Sequence, residues 1–295
     1  MPSPAAVKES NAALSLSYVP VAVFVGGTSG VGQAMAEAFA RYLGGRAHII
    51  VVGRNEHAAA DILAHLPKPA ADEAAGWTHE FVPCDVSLMA NVRAACAAIR
   101  AKVARINFLV LTAGYSSMVN VALTSEGLDL HLAIRYYQRY VFIRELLPLL
   151  ENAHALGEDA KVMSVLGAGR GSPKRPLDLA NLGNTVKPRA GRFAVANRSM
   201  IMSSDYTDAM LAVRTLQPGL SVFNSRLQHF AARNPGIAFT HISPGVVRTA
   251  TLAHVADFEG LLTPLSWLIN WLLPFFAVSQ VRVPRRSALH VLICL

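Results

Sequence analysis

Charged residues and cysteines are both scarce in this chain of 295 residues. Only 16% of the residues are charged, whereas 53% are hydrophobic. Disordered chains show the opposite balance, so the composition excludes global disorder and allows a substantial core. The three cysteines, Cys84, Cys96 and Cys294, have no paired spacing. This excludes a disulfide framework and predicts a reducing, cytoplasmic compartment, with each cysteine a small core residue.

The chain also lacks the sequence features of nucleic-acid-binding and metal-binding proteins. Its formal net charge of +8 is spread along the sequence, apart from a cluster at Arg282, Arg285 and Arg286. No basic patch alternates with aromatic residues, so no nucleic-acid partner is predicted. Neither a metal-ligand spacing of histidines nor a G-x-S-x-G segment occurs, so no metal site and no serine-hydrolase nucleophile are predicted. The histidines interpreted as structural are His131, His229 and His241.

What the chain does contain is a regular alternation of short apolar runs and amphipathic stretches. The apolar runs are rich in Val, Ile and Phe, which is typical of strands buried on both faces. The predicted strands are Val19–Val25, His48–Val52, Thr78–Val82, Phe108–Leu111, Lys161–Val165 and Ile237–Ile242. The predicted helices include Gly32–Leu43, Leu88–Val103 and Ser125–Leu150. Repeated strand–helix–strand units predict an α/β fold with a single doubly wound (Rossmann-type) parallel sheet and helices on both faces.

No internal repeat or linker divides the chain. We predict an N-terminal extension over 1–17, one α/β domain over 18–259 and an apolar C-terminal segment over 260–295. Residues 167–198, rich in Gly, Pro, Arg and Lys, are predicted to form a long loop. No signal peptide is predicted, because a basic start, an apolar core and a small-residue cleavage site do not occur together.

A glycine-rich turn follows the first predicted strand. Residues 25–32 have the sequence VGGTSGVG, which places Gly26, Gly30 and Gly32 between a strand and a helix. A helix N-terminus offers N–H groups and a favourable dipole to a pyrophosphate. Gly26 permits the tight turn, Gly30 lets the backbone approach the phosphates, and Gly32 lets the helix pack on the sheet. With the hydroxyl of Ser29, the segment predicts a dinucleotide site.

The end of the second predicted strand indicates which dinucleotide binds. An NAD site has an acidic residue there, which accepts hydrogen bonds from the ribose hydroxyls. This chain has Val52-Gly53-Arg54-Asn55 and no carboxylate at that position. A guanidinium suits the 2′-phosphate of NADP, so Arg54 predicts NADP as the cofactor. The alternative is a solvated arginine at the start of a helix.

Over Val19–Thr249 the sequence resembles the short-chain dehydrogenase/reductase family. The family's glycine pattern, TGxxxGxG, is kept except that Val25 replaces the threonine. Asp85 matches the family's acidic residue near the adenine, and Ala113-Gly114 matches the end of the family's NNAG segment.

A further match comes near the end of this region. Residues Pro244, Gly245, Val247 and Thr249 match the family motif PG-x-V-x-T, which lies beside the nicotinamide. The resemblance implies an NADP-dependent oxidoreductase that acts on a hydrophobic carbonyl or alcohol.

The family's catalytic serine, tyrosine and lysine are missing from this chain. In the family the tyrosine acts as acid or base, the lysine lowers its pKa and the serine orients the carbonyl. The serine position corresponds to Gly167, with Ser164 three residues earlier in the predicted strand. The Tyr-x-x-x-Lys region contains Leu211 to Arg214, and the nearby Tyr206 has no lysine four residues later. No catalytic residue is assigned, and Tyr206 is interpreted as a helix residue.

The family's helical asparagine is replaced as well. Arg135 stands at that position, and the run Arg135-Tyr136-Tyr137-Gln138-Arg139 resembles a divergent branch of the family found in fungi. The function expected for this chain includes a role in secondary metabolism. A noncatalytic NADP-binding protein is the alternative, because the catalytic positions are vacant.

The segment 260–281 contains no charged residue. Its length could span a bilayer, but two prolines and an asparagine disfavour an uninterrupted spanning helix. Three interpretations are open: an apolar lid over the substrate, attachment to a membrane surface through Trp267 and Trp271, and a true span. The sequence predicts no oligomeric state.

Overall fold

The computed structural model describes residues 9–69, 77–115, 117, 122–168, 170–171, 181–184, 192–211, 230–244, 247–248 and 278–279. Before the first strand, residues 9–12 form a single helical turn.

Six parallel strands form the central sheet. They are β1 (Val21–Val25), β2 (His48–Gly53), β3 (His79–Pro83), β4 (Phe108–Leu111), β5 (Lys161–Val165) and β6 (Ala238–Ile242). Their order across the sheet is β3-β2-β1-β4-β5-β6, which confirms the predicted doubly wound fold. Because β1 lies between β2 and β4, the strand order reverses there and leaves a crevice at the carboxyl ends of β1 and β4.

The helices cover both faces of the sheet. They are α1 (Gly30–Tyr42), α2 (Glu56–His65), α3 (Met89–Lys102), α4 (Leu130–Leu132), α5 (Gln138–Ala155), α6 (Arg192–Leu211) and α7 (Phe230–Arg233). Between α4 and α5, Ala133–Tyr137 form a π-helical segment. Among the described residues, every helix is too short or too polar to span a bilayer.

Alternate strand residues build two core layers. On one face, the β1 residues Val23 and Val25 pack with side chains of α3 and α5, including Ile99 and Phe142. On the other face, Phe24 packs against α1, where its ring lies 5.9 Å from that of Phe39. Every β1 residue is buried, which is why this strand shows no alternation of apolar and polar residues.

The helix predicted over Ser125–Leu150 differs from the structure at its start. Residues 125–127 form a turn, and Asp129 pairs with Leu123 in an antiparallel bridge. Helix α4 begins only after Asp129, whose side chain accepts a hydrogen bond from the Leu132 amide at 3.1 Å. Glu126 lies in that turn, and its carboxylate accepts from the amides of Met89 and Ala90 at 2.6 and 2.9 Å. It therefore caps the N-terminus of α3, where Leu88 offers no side-chain acceptor.

The predicted loop over 167–198 is wrong at its C-terminal end, because α6 begins at Arg192. Most of the apolar segment 260–281 lies outside the described residues. Within it, the short strand β8 (Val278–Ser279) pairs in parallel with β7 (Val247–Arg248). Cys84 and Cys96 are buried and unpaired, as predicted, and burial raises the pKa of each thiol to about 12.

Candidate nucleotide-binding and active site

The glycine turn after β1 has a backbone shape that requires glycine. Gly26 and Gly30 have φ values of 84° and 60°, in the left-handed region that other residues rarely adopt. A Cβ on Gly26 would lie 2.6 Å from the backbone nitrogen of Ala113. The turn therefore passes directly over the end of β4 with no room for a side chain.

Gly32 fixes the position of α1 above this turn. A Cβ at this residue would collide with the hydroxyl of Thr112 and the carbonyl oxygen of Gly26. Thr112 is itself held by a 2.9 Å hydrogen bond from its hydroxyl to the carbonyl of Val25. The start of the helix thus lies against the ends of β1 and β4, as the spacing of the glycines predicted.

The N-terminus of α1 is open to a ligand. Ser29 occupies the N-cap, but its exposed side chain makes no capping hydrogen bond. The first turn contains no acidic residue. The first amides of a helix have no partner within the helix, so this end offers N–H groups, a positive dipole and a hydroxyl to an anion. These features fit a pyrophosphate.

Arg54 directly follows β2 at the same edge of the sheet and is exposed. The next residue, Asn55, caps α2 by accepting from the Ala58 amide at 3.0 Å. Among the described residues, Arg54 makes no ion pair or hydrogen bond. Its guanidinium is available to a ligand phosphate beside the glycine turn.

Some of the remaining predicted cofactor residues lie at this edge of the sheet and others do not. Asp85 follows β3, and its carboxylate accepts from the Ser87 amide at 3.0 Å. Ala113 and Gly114 follow β4, but a Cβ on Gly114 would meet only ordinary contacts, the nearest at 3.6 Å. Val247 belongs to β7, which pairs with β8 in a separate two-stranded sheet, and Thr249 lies outside the described residues.

The family's serine cannot be accommodated at Gly167 without rearrangement. Gly167 is buried, and a Cβ there would lie 2.8 Å from the hydroxyl of Ser204 on α6. The Ser204 hydroxyl thus lies in the space that a serine side chain at this position would need.

Tyr206 is a structural helix residue. Its hydroxyl donates to the carbonyl of Leu182 at 3.1 Å, and its ring lies 5.2 Å from that of Tyr136. Burial raises the pKa of this phenol, which makes it a poorer base than a free tyrosine. Leu211 is buried at the end of α6, and Arg214 lies outside the described residues.

Arg139 is a buried residue of the site to which sequence analysis gave no role. Its side chain is fully buried, with Nε donating to the Ser164 hydroxyl at 3.0 Å. Nη2 donates to the carbonyl of Ala113 at 2.8 Å, and Nη1 to those of Ile134 and Arg135 at 2.9 Å each. Burial lowers the pKa of this guanidinium to about 9. No local signal in the sequence marks this burial, because a charged helix residue usually faces solvent.

Arg135, in the π-helical segment, extends from α4–α5 toward α6 and the end of β4. Its Nε donates to the hydroxyl of Ser203 at 2.9 Å, and Nη1 donates to the carbonyl of Tyr115 at 3.2 Å. Burial lowers its pKa to about 10, with a smaller contribution from Arg170. π-Helical turns are frequent at functional sites.

A histidine–aspartate pair lies where β6 meets α6. His241 Nδ1 lies 2.6 Å from a carboxylate oxygen of Asp208 on α6. Desolvation lowers the pKa of His241 despite this partner, which keeps the ring neutral near pH 7. His241 is paired with Ser164 across β5 and β6, so the pair and Arg139 belong to one buried polar layer.

Comparisons with known proteins agree with this geometry. Residues 20–170 match the family described as short chain dehydrogenase. The oxidoreductase AndH of Emericella variicolor is 34% identical over 272 residues, which cover 92% of this chain and 70% of AndH. Human polyprenol dehydrogenase is 26% identical over 254 residues, covering 86% of this chain and 67% of that enzyme.

Solved structures share the fold. The alcohol dehydrogenase of the archaeon Thermococcus sibiricus, complexed with 5-hydroxy-NADP, superimposes with a TM-score of 0.55. The match covers 87% of this chain and 91% of the archaeal one, at 15% sequence identity.

Proposed function

The chain belongs to the short-chain dehydrogenase/reductase family of oxidoreductases, in a branch of fungal type, and from that premise we propose an NADP-dependent activity. The substrate in this proposal is a hydrophobic carbonyl compound that is reduced, or the corresponding alcohol that is oxidised. The observation that carries the proposal is the cradle formed by Gly26, Gly32 and the N-terminus of α1, where any Cβ would collide with the end of β4 or the turn itself.

In this proposal the chain's own residues bind and orient the cofactor. The N-terminus of α1, with Gly30 and Ser29, holds the pyrophosphate, and Asp85 lies near the adenine. Ala113, Gly114, Val247 and Thr249 line the nicotinamide half of the site. NADP, when bound, supplies the hydride chemistry.

The choice of NADP over NAD rests on Arg54. An arginine pairs with a 2′-phosphate, whereas an NAD site offers a carboxylate to the ribose. Arg54 is exposed at the carboxyl end of β2 and makes no ion pair or hydrogen bond among the described residues. The NADP-type ligand in the archaeal structure is consistent with this assignment.

The hydrophobic substrate class rests on the chain's composition and on its relatives. Residues 260–281 carry no charge, which suits a lid over an apolar substrate. One human relative is named polyprenol dehydrogenase, and a polyprenol is a long hydrophobic alcohol. The oxidoreductase AndH and the fungal character of the sequence favour a role in secondary metabolism.

A noncatalytic NADP-binding protein is the second candidate. It is favoured by the packing of Gly167 against Ser204 and by the hydrogen bond of Tyr206 to Leu182, since neither residue can act as its family counterpart. Both candidates bind NADPH, but only an oxidoreductase consumes it with a carbonyl substrate.

Membrane-surface contact through residues 260–281 is a separate proposal. The apolar sequence with Trp267 and Trp271 suits an interfacial location. Sedimentation with anionic liposomes tests it, and loss of sedimentation on deleting 260–281 is the expected result. We propose a cytoplasmic compartment from the two buried, unpaired cysteines.

The first test is a fluorescence titration of the purified protein with NADPH and with NADH. We expect NADPH to bind at least tenfold more tightly, and Arg54→Glu to remove that preference. Arg144→Glu, at an exposed position on α5, is the matched control and keeps it. Failure of both dinucleotides to bind would refute the proposed function. Binding followed by NADPH consumption with hydrophobic aldehydes or ketones would separate the enzyme from the noncatalytic candidate.

A further inference from the structure

Two guanidinium groups lie together where the family has its catalytic polar residues, and neither has an anionic partner in the part of the chain that the structure describes. Arg139 donates only to carbonyl and hydroxyl oxygens, among them those of Ala113 and Ser164. Arg135 donates to the hydroxyl of Ser203 and the carbonyl of Tyr115. Within the described ranges, no carboxylate forms an ion pair with either arginine. The site therefore holds positive charge that neutral oxygens solvate but do not neutralise.

The two arginines differ in how many of their guanidinium nitrogens have a hydrogen-bond partner among the described residues. All three nitrogens of Arg139 are engaged, and the residue is fully buried, so it is a fixed charge behind the site. Nη2 of Arg135 has no hydrogen-bond partner among the described residues, and the side chain is only partly buried. Arg135 thus presents N–H donors to an incoming group.

The position of Arg135 connects it to the proposed cofactor crevice. Its partner Tyr115 follows Ala113-Gly114 at the end of β4, and Arg139 donates to Ala113 itself. Ala113 lies beneath Gly26 of the glycine turn. A group bound by Arg135 would therefore lie next to the end of β4, on the side of α6.

Burial and mutual repulsion make this arrangement responsive to an anion. Burial penalises the charged form of both arginines. The charge of Arg135 adds to the penalty on Arg139, and the charge of Arg170 adds to the penalty on Arg135. A negatively charged oxygen placed against Arg135 would relieve both penalties and complete its hydrogen bonds.

We propose that Arg135, with Arg139 behind it, binds a negatively charged oxygen of the substrate at the carboxyl end of β4. The oxygen has two sources with the same chemistry. It is either a permanent carboxylate carried by the substrate or the oxygen of the reacting carbonyl, on which negative charge develops during reduction. This inference rests on the proposed function, because it names the substrate group recognised by that site.

The test is calorimetric titration with two probes of equal length, octanoate and octanamide, in the presence and absence of NADPH. For a permanent carboxylate, octanoate binds at least tenfold more tightly than octanamide, and Arg135→Gln abolishes the difference. For a carbonyl oxygen, the two probes bind similarly, and Arg135→Gln weakens both at least tenfold. Arg144→Gln removes the same charge from the exposed face of α5 and leaves both affinities within twofold of wild type.

Two results would overturn the proposal. One is that Arg135→Gln leaves both probe affinities within twofold of wild type. The other is that Arg144→Gln weakens octanoate as much as Arg135→Gln does, which would indicate a diffuse effect of net charge. If Arg135→Gln does not fold, as judged by circular dichroism, Arg135→Lys serves instead. It keeps the charge but not the fork of donors, and we expect a three- to tenfold weaker octanoate affinity.

The cofactor-free titration separates this inference from the proposed function. If the wild-type protein does not bind NADPH, the proposed function is refuted. A dependence of octanoate binding on Arg135 would still establish the anion site in that case. Normal NADPH binding with no role for Arg135 would refute the anion site alone.

Discussion

Arg139 on α5 donates a 3.0 Å hydrogen bond to the hydroxyl of Ser164 on β5, and both residues are fully buried. The hydroxyl that sequence analysis placed nearest to the family's serine is therefore engaged with a guanidinium inside the fold. Its oxygen helps to solvate a charge that water does not reach. Ser164 thus has a structural role in this chain.

Replacing Ser164 by alanine is expected to destabilise the protein. The change removes one of the oxygens that solvate a buried guanidinium, which costs about 1–3 kcal/mol. Urea unfolding followed by circular dichroism measures the loss. Ser29→Ala is the control, because that side chain is exposed and makes no capping bond, and its effect is expected to stay within about 0.5 kcal/mol. Equal stabilities of Ser164→Ala and wild type would contradict the role assigned to the hydroxyl.

A methyl group at Gly32 is expected to disrupt the nucleotide cradle. Its Cβ would collide with the Thr112 hydroxyl and the Gly26 carbonyl, and such overpacking costs about 1–3 kcal/mol. Gly114→Ala is the matched substitution, since a Cβ there meets nothing nearer than 3.6 Å. Chemical denaturation should separate the two variants by more than about 1 kcal/mol. Similar stabilities would show that α1 can move away from β4 at little cost.

Acid is expected to destabilise the fold through one buried and two half-buried histidines. Desolvation lowers the pKa of His48, His79 and His241 below the usual value. The unfolded chain therefore takes up protons that the folded chain excludes, and stability falls as the pH drops through about 6.5 toward the lower folded values.

The free energy of unfolding at pH 7 and pH 5 tests this expectation. His79→Phe should reduce the difference, because both ring nitrogens of His79 are buried and have no hydrogen-bond partner among the described residues. His57→Phe, at an exposed position, should leave the difference unchanged. A pH dependence that is the same in both variants would exclude His79 as a contributor.

Cys84 and Cys96 are expected to resist thiol reagents in the native state. Both are buried, and burial raises the pKa of each to about 12, so the reactive thiolate is scarce at neutral pH. In a Cys294→Ser background, a colorimetric disulfide reagent should find no rapidly reacting thiol until denaturant is added. Rapid labelling of either residue in the native protein would show that its helix or strand opens readily.

Tyr206→Phe is expected to leave NADPH affinity within about twofold of wild type and to cost about 0.5–1.5 kcal/mol of stability, the value of its hydrogen bond to Leu182. For any carbonyl substrate that the protein turns over, kcat should change less than about threefold. A loss of about a hundredfold or more, with the fold intact, would instead identify this phenol as the acid or base.

The strands and the glycine turn could be predicted because their signals are local. Most strands of the sheet are runs of apolar residues bounded by turn residues, and the predicted and observed limits differ by at most two residues. The turn at Gly26 and Gly32 follows from a spacing that only a strand-to-helix crossing explains. For these elements, the residue types and their positions along the chain are sufficient for the prediction.

The helix start near Glu126 and the burial of Arg139 could not be predicted from local signals. Glu126 lies in a stretch with helical spacing, but its carboxylate caps another helix 37 residues earlier in the chain. Arg139 is a charged residue in a helix, a type that usually faces solvent. Its burial depends on carbonyls at the ends of β4 and β5, which only the folded sheet brings together.

Because of the π-helical segment Ala133–Tyr137, the side chains before it and those after it point in different directions around the helix axis. A π turn contains one residue more than an α turn, so residues before it are rotated by about 100° relative to an uninterrupted helix. Leu132 can therefore pack with Met202 and Tyr206 of α6 while Phe142 and Leu146 pack on the sheet. Deleting a single residue from this segment would force the chain to give up one of these contacts and would turn Arg135 away from Ser203.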